Sequence, residues 1–155
     1  MPKDGGVLRI LHADDDESFR LLIRNTIDRD PALAARCEVR LVADGTDAVE
    51  YMLGKGKYAD REAYPLPHLV LLDQRMVRMD GLEALRAIKA DESVEHIPVF
   101  LLTTSDQASL AEEFRALRGS LTITKPLDFA KFKPLYSLIV DFAIRALELP
   151  RRMPQ

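Results

Sequence analysis

The sequence predicts an α/β domain: one mostly parallel, five-stranded sheet covered by helices on both faces. Two observations predict it. Short apolar, β-branched runs alternate with longer amphipathic stretches, the pattern of repeated β-α units. The run LVLL at residues 69–72 is continuously apolar, as a strand buried on both faces must be. The 155 residues, 47% of them hydrophobic, suffice for one well-buried core and are few for two.

The elements follow in order. Residues 1–6 are polar and expected to be disordered, and the first strand is expected over 7–13. Phe19, Leu22, Ile23 and Ile27 then recur at helical spacing. A second strand is expected over 38–43 and a second helix over Gly45–Leu53. Residues 54–67, with two glycines, two prolines and two tyrosines, read as an extended loop or helix extension. That segment is open to two readings, a partner-binding insertion or a tolerated surface excursion. The third strand covers 69–72, and Leu82, Leu85, Ala87 and Ile88 form the stripe of the next helix. The fourth strand, 99–102, is followed by Leu110, Phe114 and Leu117 at helical spacing, and the fifth strand covers Leu121–Thr124. From Asp128 onward, Phe132, Leu135, Tyr136, Ile139, Val140, Phe142 and Ile144 make a long apolar stripe ending before Pro150. One domain over 7–149 is expected, with 150–155 a frayed tail.

Composition excludes several function classes. A net charge of -3, with acidic and basic residues in similar number, leaves no footprint for binding nucleic acid. Cys37 is the only cysteine, so no intrachain disulfide or multi-cysteine metal cage forms, and a small core side chain is its expected role. The first residues lack the apolar stretch of a signal peptide and no apolar run approaches bilayer length, so a cytoplasmic protein with no membrane partner is expected.

In open parallel sheets ligands bind at the carboxyl ends of the strands, so the residues following each predicted strand are the ones to inspect. Asp14, Asp15 and Asp16 follow the first, Asp73 the third, Thr103 and Thr104 the fourth, and Lys125 with Pro126 the fifth. Carboxylates, hydroxyls and an ammonium thus point at one place. Asp14, Asp15 and Asp73 would repel one another without a cation, and hard oxygen ligands with room for water suit Mg²⁺. Metal and Lys125 together would offset the charge of an arriving phosphoryl group, and the Thr103 hydroxyl could donate to one of its oxygens. Asp73 ends the central apolar strand and needs no deprotonation, which makes it the best placed nucleophile. Asp16 is expected to cap the following helix. Each feature alone has a structural explanation in a solvated turn, a cap or an ion pair; the combination across four strand ends carries the functional reading.

Four segments in this order and spacing, ILHADDDES, LVLLDQRMVRMDGLEAL, IPVFLLTTSD and ITKPLDF, resemble those of bacterial response-regulator receiver domains, including the chemotaxis receiver and the stand-alone receivers that serve phytochromes. The resemblance covers nearly the whole chain. It implies a doubly wound, flavodoxin-like fold of strand order 2-1-3-4-5, one Mg²⁺, and phosphoryl transfer from a phosphohistidine on a sensor histidine kinase or a phosphotransfer protein. It assigns Asp14 and Asp15 to the metal, Asp73 to both metal and phosphate, the Arg75 backbone carbonyl to the metal shell, Thr103 to switching, and Lys125 to the phosphoryl oxygen. It also implies that phosphorylation repacks the face formed by the fourth predicted helix, the fifth strand and the fifth helix. Output then passes to a downstream protein or to a second copy of the chain, and the long last helix is open to two readings, a homodimer face or a longer buried helix.

Three departures from the family pattern bear on switching. Val77 stands where a proline is usual, four residues after the acceptor, although Gly81 keeps the expected tight turn. Thr122 stands where an aromatic usually moves inward. Arg75 and Ser105 flank the phosphate position, where side chains obstruct or order an attacking water. His12, His68 and His96 share no metal-site spacing and are expected to be structural, so a phosphohistidine belongs on another protein. Among rivals, a haloacid-dehalogenase-type phosphatase would place an acid/base Asp where Arg75 stands, and a flavodoxin-type electron carrier would need a phosphate-cradling loop where Asp14 to Asp16 stand. The remaining alternative is a degenerate receiver serving as an unphosphorylated binding scaffold.

Overall fold

The computed structural model describes residues 6–104 and 108–147. Its centre is a five-stranded, all-parallel sheet of order β2-β1-β3-β4-β5, as expected. The strands are β1 (Leu8–Ala13), β2 (Cys37–Val42), β3 (Leu69–Asp73), β4 (Val99–Thr103) and β5 (Leu121–Thr124). Every residue of β3 and β4 is buried, which explains their unbroken apolar sequence.

Alternation along the strands divides the core in two. Leu8, Ile10, Leu69, Leu71, Phe100 and Leu102 pack against α1 (Glu17–Asp28) and α6 (Phe132–Ala146). Leu11, Ala13, Val70, Leu72, Val99 and Leu101 face the other way, toward α3 (Gly45–Leu53), α4 (Gly81–Lys89) and α5 (Ala108–Ala116). One device starts four helices: Asp16, Asp30, Asp44 and Asp80 cap α1, α2 (Pro31–Ala34), α3 and α4 by accepting from backbone N–H groups of the first turn. At α4 the cap is reciprocal, since Glu83 reaches back to the Asp80 N–H.

Several sequence boundaries are corrected. β1 starts at Leu8 and β2 runs one residue earlier than expected, because Leu8 pairs with Cys37 and Ala13 with Val42. β3 and β4 each extend one residue further, so Asp73 and Thr103 are the last strand residues and do not follow the strands. The short helix α2 was not expected, and the last helix begins at Phe132, preceded by a 3₁₀ turn at Phe129–Lys131. Gly6 forms a turn; the expected disorder at 1–5 and the expected tail fall outside the described residues.

Segment 54–67 is the extended loop of the two expected forms, with one 3₁₀ turn at Gly56–Tyr58, and it is tied back onto the fold. Gly54 closes α3 in the left-handed region (φ 65°), a conformation that glycine adopts without strain. Arg61 then donates to the Tyr51 and Met52 carbonyls at 2.7 and 2.8 Å, satisfying groups that the helix end leaves open. Tyr58 is buried against Tyr51 and Tyr64, with ring centroids 5.0 and 5.1 Å away.

Candidate functional site

Parallel register brings four strand ends to one edge. Ala13 pairs with Leu72, Asp73 with Leu102, and Thr103 with Thr124, so the residues at and just beyond these pairs converge. The structure there gathers Asp14, Asp15, Asp73 and Lys125. One carboxylate oxygen from each of Asp14, Asp15 and Asp73 lies within 4.8 Å of the others. Asp14 is fully buried, Asp73 nearly so, and Asp15 is exposed.

Both Asp14 oxygens have partners. Oδ1 accepts the Asp16 N–H at 2.9 Å, and Oδ2 accepts from Lys125 Nζ at 2.7 Å. Lys125 Nζ also donates to Asp73 Oδ2 at 3.3 Å and stands 3.9 Å from the centroid of the Phe19 ring. Burial first, and the Asp14 charge second, push the Asp73 carboxyl up to about 6 against the pull of Lys125. Burial works against the Lys125 ammonium, yet the Asp14 and Asp73 carboxylates outweigh it and raise its pKa.

The carboxylate trio fits a hard divalent cation. It supplies three oxygen donors at close quarters, an exposed side on Asp15 for water, and an excess of negative charge that one ammonium leaves uncompensated at Asp73. Among the described residues it is the one such group of acidic, histidine or cysteine side chains.

The remaining sequence candidates take these places. Thr103 is buried at the end of β4, and its carbonyl accepts the Lys125 N–H at 2.8 Å. Thr104 is exposed, Asp16 caps α1, and the Arg75 and Val77 side chains face solvent. Thr122 is half-buried in β5, in register with Leu101. Ser105 lies outside the described residues. Gly81 sits where a Cβ would meet the Asp73 carbonyl at 2.8 Å and Leu101 Cδ1 at 2.6 Å, so glycine lets α4 start against the end of β3.

The histidines lie apart from the trio as ligands. His12 is buried with Nδ1 3.4 Å from the Tyr136 hydroxyl, and burial, aided by Lys125, pushes it down to about 3. His68 Nδ1 accepts the Arg9 N–H, and His96 is exposed in a turn. Cys37 is buried, and its thiol, pushed up to about 11 by burial, donates to the Leu33 carbonyl.

Three neighbours of the site were not legible as such. Arg20 Nη1 donates to the Asp14 carbonyl at 2.7 Å, bracing the turn between β1 and α1. Arg78, itself at φ 65°, forms an ion pair with the N-cap Asp44 and ties the loop after β3 to the start of α3. Phe19 reads in sequence as a plain core position; an apolar residue one turn from an acidic strand end is the signal that could have marked it.

Comparison with known proteins places this geometry. The chain is 30% identical over 133 residues to the probable methanogenesis regulatory protein FilR2 of Methanothrix harundinacea, covering 86% of this chain and 81% of that one. Other relatives are longer: the chain spans 38% of a protein-glutamate methylesterase/protein-glutamine glutaminase of Pyrococcus abyssi, at 31% identity. Among solved structures, the phosphorylated cyanobacterial phytochrome response regulator RcpA superposes with a TM-score of 0.80 at 28% identity, over 94% of this chain and 99% of that one. The Mn²⁺-bound form of response regulator Rcp1 does so with a TM-score of 0.76 at 26% identity, over 93% and 99%. The response regulator receiver domain matches residues 10–136, and with the sheet order and acidic edge described above, the chain belongs to that family.

Proposed function

We propose that the chain is a phosphorylation switch whose acceptor is Asp73. The observation that carries this reading is the placement of Asp73 at the end of the central strand, between the Asp14 and Asp15 carboxylates and the Lys125 ammonium. Asp14, Asp15, Asp73 and the Arg75 backbone carbonyl would hold Mg²⁺, which supplies charge compensation for a phosphoryl group when bound. An Asp73 oxygen forms a P–O bond as the P–N bond of a donor phosphohistidine breaks. The electron pair returns to the imidazole of the donor, a sensor histidine kinase or a phosphotransfer protein, which takes up a proton from water. Lys125 and the Thr103 hydroxyl receive the phosphoryl oxygens. Beyond assisting its own phosphorylation and dephosphorylation, the chain has no catalytic role in this reading.

The receiver unit runs over 7–149 and works in the cytoplasm, and its output is a changed protein-binding surface. The face of α5, β5 and α6 suits that role, because Leu121, Leu127, Phe129, Leu138 and Phe142 are exposed on or beside it. Its partner is a downstream protein or a second copy of the chain; sedimentation velocity with and without beryllofluoride separates the two, since a second copy doubles the mass.

The acceptor itself is tested by incubating the protein with Mg²⁺ and acetyl phosphate and measuring intact mass beside Asp73→Asn. A Mg²⁺-dependent gain of one phosphoryl group, absent from the variant, is expected. No gain, with beryllofluoride also failing to bind, would leave an unphosphorylated binding scaffold.

A further inference from the structure

The Lys125 ammonium rests in a cup with three walls. Two are the Asp14 and Asp73 carboxylates, at 2.7 and 3.3 Å, and the third is the face of the Phe19 ring, 3.9 Å from Nζ to centroid. That distance lies well inside the range over which a ring quadrupole attracts a cation. The contact is largely dry: the Lys125 side chain is 15% exposed and Phe19 is buried. The ring is also fixed. Its backbone N–H donates to the Asp16 cap in the first turn of α1, and its edge meets Phe132 of α6 at 5.1 Å between centroids.

The three walls respond differently to a divalent ion. Asp14 and Asp73 are the side chains such an ion claims, so loading the site withdraws from Lys125 the charges that hold it. The Phe19 ring offers no formal charge and no ligand atom to a hard cation, so its attraction for the ammonium persists. We propose that Phe19 is a positioning residue: its ring face holds the Lys125 ammonium at the carboxyl edge when the metal occupies Asp14 and Asp73, so that an arriving phosphoryl oxygen meets the cation already in place. This inference rests on the phosphoacceptor reading and deepens it. It assigns to one apolar side chain of α1 a share of the work that charge alone would do in a metal-free site.

The test replaces Phe19 with phenylalanine carrying one, two or three ring fluorines, which keeps shape and apolarity while draining the negative potential of the ring face. Mg²⁺-dependent beryllofluoride affinity should fall stepwise, on the order of tenfold by the third fluorine, while the circular dichroism of the folded protein stays unchanged. In parallel, the ring-current displacement of the Lys125 ε-methylene protons is followed by NMR before and after Mg²⁺ is added to the unsubstituted protein, and it should persist. An affinity that stays flat across the series would overturn the inference and leave Phe19 a core residue. Loss of the ring-current displacement on Mg²⁺ binding would overturn it too, by showing that the ammonium leaves the ring. Should the unsubstituted protein bind no beryllofluoride, the phosphoacceptor reading falls and takes this inference with it, an outcome distinct from the other two.

Discussion

Asp14 commits both carboxylate oxygens inside the protein, one to a backbone N–H of the next turn and one to Lys125. Asp14→Asn keeps the size and one acceptor oxygen, which can still take the Asp16 N–H, but it turns an amide N–H group toward Lys125 and removes the charge that a dication requires. Mg²⁺ affinity should therefore fall by on the order of a hundredfold in isothermal titration calorimetry, since ligand charge count sets affinity at such sites. His68 makes a different residue-level prediction. Burial first, then the Arg9 guanidinium, hold its imidazole below 6.5, while Nδ1 accepts the Arg9 N–H at 2.9 Å. The unfolded chain therefore binds the extra proton more readily, and stability that is complete above about pH 6.5 is lost as pH falls toward the lowered native value. Asn at this position offers an oxygen to the same N–H without titrating. Urea unfolding from about pH 7.5 to about pH 5.5 should show a shallower decline for His68→Asn than for the natural chain; parallel curves would contradict the assignment.

At the scale of elements, the starts of α3 and α4 hold the loop after β3 in place. A Cβ on Gly45 would collide with the Met79 carbonyl, and that carbonyl cannot yield easily while Arg78 is anchored to Asp44. Alanine gains up to about 1 kcal/mol of helix propensity over glycine, but a backbone clash outweighs it. Gly45→Ala should lower stability by a net amount of about 1 to 2 kcal/mol in urea titration. Asp80→Ala removes the reciprocal cap of α4 and should cost about 1 kcal/mol by the same measurement. These contacts also show what sequence reading reaches. The five strands and five main helices were legible because apolar period and strand length report directly on burial. Helix α2 was not, because four residues with only Leu33 buried have no period, although Asp30 before Pro31 is a helix start in miniature. The Asp44 to Arg78 tie was not legible either: nothing local in either segment names a partner on another element.

For the whole molecule, an all-parallel sheet sends the residues at its strand ends to one edge whatever the loops do, which is why Asp14, Asp15, Asp73 and Lys125 could be grouped from sequence. What the grouping missed is how they contact one another. A phenylalanine in a core stripe carries no mark of the lysine it meets across the fold. On α6, Leu138 is 66% exposed, and Phe142 is 53% exposed although one part of its ring meets the buried Phe100 at 6.2 Å between centroids, so core packing accounts for only part of these two side chains. Leu138→Glu should change folding stability by less than about 0.5 kcal/mol, yet it should abolish any binding the protein acquires on phosphorylation. A pull-down or sedimentation experiment with beryllofluoride reads that loss, and retained binding would move the output surface elsewhere.

The ammonium lodged against Asp14 also decides which dissolved ions the protein ignores. Sodium or potassium there would bring a single charge of the kind that Lys125 already supplies, while giving up its own hydration. A divalent ion brings charge that the resident lysine does not supply, so the switch should read magnesium against a large background of potassium.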